Sequence, residues 1–169
     1  MKKAIVLAAA LPIALGLAAC QQQSTSATAV AESADTGARA VVENFYAAIG
    51  AGDMDAVAGL LAPDVAWSEA QGSPYASGNP YVGFEAMGAG VFGPINEAFE
   101  NFAGTPGQYT AEGDRVVVEG RYTGTSRKTG EALDAPFVHV FTVSEGKIVA
   151  FQQYTDTWQW RKLTGTLGE

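Results

Sequence analysis

Residues 135–143 and 148–157 constrain the fold more than any other part of the chain. β-Branched and aromatic residues dominate both arms, and Ser144-Glu145-Gly146-Lys147 joins them as a short polar turn with a glycine. That pattern predicts a β-hairpin. Side chains alternate along a strand, so Phe137, His139, Phe141 and Val143 share one face, and Val138, Val140 and Thr142 share the other. The chain's single histidine is thus expected between two phenylalanines. A titratable group in apolar surroundings is where acid/base chemistry can be tuned. An ordinary core histidine would occupy the same position.

The N-terminus reads as a targeting segment. Lys2 and Lys3 precede an apolar run over residues 4–17, and Leu17-Ala18-Ala19-Cys20 closes it. The run is too short to span a bilayer. The arrangement resembles a bacterial lipobox, which implies an acylated Cys20 as the first residue of the mature chain. It also accounts for a lone cysteine with no disulfide partner. The expected organisation is therefore a signal peptide over 1–19, lipidated Cys20 with a flexible tether to 36, and a folded domain over 37–169. Gln21 rather than an aspartate after the cysteine points to the outer membrane, with the domain facing the periplasm or the cell exterior. The bilayer is then a partner through Cys20. A net charge of −8, with no basic patch, argues against nucleic acid.

Within the domain, Val41, Val42, Phe45 and Ile49 recur at helical spacing up to Gly50-Ala51-Gly52. Asp53 is expected to cap a second helix over 54–62, stopped by Pro63. A short strand over 65–69 puts Val65, Trp67 and Glu69 on one face. Residues 70–82 read as a loop, and 84–99 as a third helix broken near Gly93. A short strand over 108–111, a long one over 115–126 and the hairpin follow. Helices followed by a curved antiparallel sheet make an α+β fold. Trp158 and Trp160 are expected to pack in a C-terminal segment.

Phe45-Tyr46-Ala47-Ala48-Ile49-Gly50-Ala51-Gly52-Asp53, Leu61-Ala62-Pro63-Asp64-Val65-Ala66-Trp67 and Glu145-Gly146-Lys147-Ile148-Val149 resemble segments of the nuclear transport factor 2-like superfamily. The SnoaL-like and ketosteroid isomerase-like members are the nearest in pattern. The resemblance implies a cone: a bent sheet around about three helices, with an apolar cavity open at one end. It places the family's general base at Glu69 and its penultimate-strand oxyanion donor at His139. The family's oxyanion tyrosine falls on Phe45, with Tyr46 one place away, so steroid isomerisation is not implied. Tyr46, Trp67, Phe137, Phe141, Phe151 and Gln153 are expected to line the cavity. The resemblance also implies a homodimer.

Glu69 beside an indole would have its pKa raised by desolvation and could move a proton next to a carbonyl. His139 could donate to an oxyanion or act near neutral pH. One histidine without a second ligand at metal spacing is not a zinc or iron set, and no cofactor is called for. Two readings follow: a lipid-tethered cone that binds a small apolar molecule, and a cofactor-free acid/base enzyme of isomerase, cyclase or dehydratase type. The unmatched tyrosine favours the first. A structural or protein-binding lipoprotein is a weaker third reading.

Overall fold

The hairpin is the centre of the sheet. A computed structural model describes the backbone of residues 18–168 and the side chains of residues 35–168. In it β5 (Ala132–Ser144) and β6 (Lys147–Thr155) pair antiparallel. Glu145 and Gly146 both take positive φ, 50° and 74°. That is the backbone a two-residue turn needs to match the twist of its strands. β5 also pairs with β4 (Arg115–Ser126), which pairs with β3 (Phe99–Glu112). β6 takes β1 (Leu61–Ser68) in parallel, and β1 takes the two-residue β2 (Tyr81–Val82). The result is a six-stranded mixed sheet in the order β2-β1-β6-β5-β4-β3.

Helix α1 (Ala18–Ala51) lies on the concave face. Its buried residues Ala38, Val42, Phe45 and Tyr46 follow helical spacing. Gly52 ends it at φ 70°, with the amides of Gly52 and Asp53 bonded to Ile49 and Ala48 carbonyls. α1 begins well before Gly37, so residues 21–36 are helical in backbone where an irregular tether was expected. No proline or glycine interrupts Ala18 to Thr36, and alanine, glutamine and glutamate favour helix. The Asp35 carboxylate accepts the amide of Gly113 in the β3–β4 turn, which ties this stretch to the domain. The expected signal peptide, as far as Leu17, and the side chain of Cys20 lie outside the described residues.

Asp53 caps α2 (Met54–Leu60) as expected, accepting from Ala56 N–H at 2.9 Å. The third helix is more continuous than expected. It runs as α3 (Gly83–Met87), a π-helical turn (Gly88–Phe92) and α4 (Gly93–Ala98). Gly88, Gly90 and Gly93 absorb the extra residue of the π turn where a break was expected. β3 is far longer than the predicted 108–111. It is an edge strand with register shifts at Glu100/Ala103 and Pro106/Gln108, and its Gly and Pro hid the alternation. Asp156 ends the sheet early and caps α5 (Thr157–Thr164), accepting from Gln159 N–H. Trp160 is buried against Tyr75, Phe99, Phe102 and Tyr122, while Trp158 is exposed.

Candidate active site

Register places the site. Trp67 lies opposite Phe151, and Phe151 opposite Phe141. The next inward row is Gln153, His139 and Val118. β1 ends at Ser68, so Glu69 projects just past the strand beside that second row. Asn79 holds Glu69 by its backbone at both ends. Asn79 Oδ1 accepts the Glu69 amide at 2.9 Å, and Asn79 Nδ2 donates to the Glu69 carbonyl at 2.8 Å.

The polar side chains form one buried assembly. The Trp67 indole N–H donates to Glu69 Oε1 at 2.8 Å. Gln153 accepts the Ala70 amide on Oε1 at 3.3 Å, which turns its Nε2 toward Tyr122 to donate to the phenol oxygen at 2.9 Å. His139 Nε2 lies 2.6 Å from the Tyr122 hydroxyl, and His139 Nδ1 lies 2.6 Å from the Tyr46 hydroxyl. A neutral imidazole carries one proton and each phenol one. Three protons thus share two hydrogen bonds, and whichever tautomer His139 adopts, one phenol proton remains to donate to something else.

Burial sets the protonation states. It pushes Glu69 up from 4.5 to about 7, against the opposing pull of the Trp67 indole and the Gln153 side chain. Glu69 Oε2 is buried with no hydrogen-bond partner. Burial lowers His139 from 6.5 to about 3, so the ring is neutral at physiological pH. The expectation that it titrates near neutrality is corrected; a neutral ring still carries one N–H. Burial, and then the charge of Glu69, hold Tyr122 well above its ordinary value. Tyr46 is also raised, first by burial and then by Tyr109.

Glu69 and His139 open onto one chamber of about 70 Å³, shared with Tyr46, Trp67, Gln153 and Tyr122. Val91, Phe92 and Ile95 of the third helix cover it, with Phe102 and Gly104 from β3. Five of the eight residues expected at the site therefore meet there. Phe137, Phe141 and Phe151 do not line the chamber and are corrected to core. Phe137 stacks on His139 at 3.9 Å and Phe151 on Trp67 at 3.6 Å, so the rings they support stand between them and the space. Tyr122 was missed. Val116, Val118 and Tyr122 share a face by period two, and that alternation could have found it. A groove of about 630 Å³ lies elsewhere, between Tyr75, Tyr81 and Pro94 and beside Arg127 and Lys128. It is larger, but Arg127 is paired with Glu100 at 2.6 Å and Lys128 with the Thr164 carbonyl at 3.3 Å. The buried ionisable groups Glu69 and His139 lie on the chamber instead. Among the described residues no cluster of His, Cys, Asp and Glu could hold a metal ion.

An α+β cone with an ionisable, apolar-lined chamber on its concave face defines the class. Residues 42–151 match the SnoaL-like domain family, and the chain belongs to that family. An NTF2-like protein of Burkholderia thailandensis is 32% identical, with a TM-score of 0.70 over 75% of this chain and 95% of that one. TerC, co-crystallised with polyporic acid, is 24% identical with a TM-score of 0.69 over 76% of this chain and 98% of its own. A protein of Jannaschia sp. CCS1 described as SnoaL-like and polyketide cyclase-like is 22% identical, with a TM-score of 0.66 over 80% and 96%. The last two share the fold. No curated protein matches the chain.

Proposed function

We propose that the domain binds a small carbonyl compound in this chamber and moves a proton on it, with Glu69 as the base. The carrying observation is that a buried carboxylate with one free oxygen and a phenol with a spare proton face the same apolar space. A carboxylate near 7 is matched to proton abstraction at neutral pH. The Tyr46–His139–Tyr122 chain supplies a donor for the oxygen that becomes negative. His139 acts within it as a neutral relay that orients both phenols.

The chamber limits the reacting part. About 70 Å³ is roughly half the cavity volume of about 150 Å³ that admits benzene in another protein. The group that enters is a few heavy atoms, or the half-buried Phe92 and Phe102 give way for more. The Leu17-Ala18-Ala19-Cys20 sequence supports attachment of the domain to the cell envelope through acylated Cys20; an unmodified cysteine by mass spectrometry of the mature chain would remove that part.

The test uses pent-4-en-2-one, an activated ketone of six heavy atoms, in deuterated water with the full chain. Proton NMR should show deuterium entering the α-carbon, and Glu69→Gln should slow this by about 100-fold or more while the ketone still binds. Equal exchange in both proteins sinks the assignment. Binding without exchange in either would instead mark a carrier.

A further inference from the structure

Gln153 gives the buried chain of phenols and imidazole a direction. It is buried on β6, opposite His139. Its Oε1 accepts the Ala70 amide at 3.3 Å. A backbone N–H only donates, so this bond settles which end of the side-chain amide is oxygen. The Nε2 that reaches Tyr122 Oη at 2.9 Å then only donates as well. Among the described residues Tyr122 Oη has one other hydrogen bond, to His139 Nε2 at 2.6 Å. A hydroxyl that accepts an N–H becomes a stronger donor in its turn. Tyr122 therefore accepts from Gln153 and gives its own proton to Nε2.

That bond fixes the ring. A neutral imidazole whose Nε2 accepts carries its proton on Nδ1. Nδ1–H then donates to Tyr46 Oη at 2.6 Å. Among the described residues this is the only hydrogen bond of the Tyr46 hydroxyl, so its proton is left over, and Tyr46 lines the chamber with Glu69. The opposite order would load two N–H groups onto the Tyr122 oxygen and spend the Tyr46 proton on the ring. We propose that Gln153 is a positioning residue that holds His139 in its Nδ1–H form, so that Tyr46 rather than Tyr122 donates to the substrate oxygen. Every bond then runs one way, from Gln153 through Tyr122 and His139 to Tyr46. Each donor is strengthened by the one behind it, and the last proton is free for the oxygen that becomes negative. This inference rests on the acid/base reading of Glu69 and assigns the donor that the reading leaves open between two phenols.

The chain has a single histidine, so isotope-labelled histidine yields one pair of ring nitrogens. Long-range proton–nitrogen correlation NMR at pH 7 on the full chain reads which of the two carries hydrogen. The wild type should show Nδ1–H. Gln153→Met, similar in length but unable to donate to Tyr122, should bring in the Nε2–H form. Gln153→Asn, polar but one carbon short of Tyr122, repeats the comparison should the methionine variant not fold. Tyr46→Phe should slow deuterium entry into pent-4-en-2-one by about 100-fold. An Nε2–H ring in the wild type overturns the inference. So does an Nδ1–H ring that persists unchanged in the Gln153 variants, or exchange that Glu69→Gln slows and Tyr46→Phe does not. The spectrum needs no ketone, so its outcome separates from the exchange experiment. A Gln153-dependent Nδ1–H ring without Glu69-dependent exchange retires the proton transfer and keeps the order of the hydrogen bonds; exchange with an Nε2–H ring retires this inference alone.

Discussion

Replacing Glu69 with glutamine should stabilise the protein, and the gain should depend on pH in a way the structure specifies. The folded carboxyl titrates at about 7 because burial disfavours its anion, whereas its ordinary value is 4.5. Below 4.5 both folded and unfolded chains hold the proton, and Glu69 costs nothing. Between 4.5 and 7 only the folded chain holds it, so stability is lost as pH rises, until both states are ionised above 7. At about 1.4 kcal/mol per pH unit, the wild type loses roughly 3 kcal/mol across that window. Glutamine keeps an oxygen for the Trp67 indole, bonded at 2.8 Å, and carries no charge. The stability of Glu69→Gln relative to wild type should therefore grow by about 3 kcal/mol from pH 4 to pH 8. His139 pulls the other way. Its folded value of about 3 lies below its ordinary 6.5, so the unfolded chain takes up a proton first as pH falls below 6.5, and stability is lost toward pH 3. Between 4.5 and 6.5 the two slopes oppose each other in the wild type, and Glu69→Gln exposes the histidine slope alone. Urea unfolding followed by tryptophan fluorescence from pH 4 to 8 reads the difference. A gap between the two proteins that stays constant with pH would refute the burial argument for Glu69.

Trp67→Phe keeps an aromatic ring against Phe151 but removes the N–H that holds Glu69 Oε1. That bond favours the ionised carboxylate, so the pH midpoint of exchange should move upward, with slower exchange at pH 7, as a pH–rate profile would show. Phe141→Ala should cost about 3–5 kcal/mol. Phe141 is fully buried and packs its ring against Phe45, Tyr46, His139 and Phe151. The urea midpoint is the measurement.

Where the chain is buried on one face and wet on the other, its structure was legible. The hairpin's alternation and the Asp53 cap are written in neighbouring residues, and the Glu145-Gly146 turn needs only local backbone freedom. β3 was not legible, since it is an edge strand whose register shifts around Gly107 and whose Pro106 needs no ladder partner on its open side. The π turn of the third helix brings Phe92 edge-on to Trp67 at 5.7 Å. That contact joins residues more than twenty positions apart, and periodicity within either segment carries no trace of it. Phe137, Phe141 and Phe151 were placed on the correct face. Which residues of a face reach the cavity depends on what stacks above them, and a face assignment does not contain that.

Tyr46 shows the same limit in the chemistry. Counted along the helix it stands one residue from the family's tyrosine position, and that offset lowered the case for an oxyanion donor. In space the offset costs little. Phe45 turns to Trp67 and Phe141, with ring centroids 5.9 and 5.7 Å away, while Tyr46 lies nearly coplanar with His139 and reaches Nδ1. Both residues fit inside because the sheet curves around α1 and buries a wide stripe of it. Donor capacity then follows from proton counting rather than from one residue's position. With His139 neutral and Gln153 oriented by the Ala70 amide, Tyr46 and Tyr122 cannot both spend their protons on the ring. A donor survives in either tautomer, so the proposed donor role does not depend on a match at one aligned position.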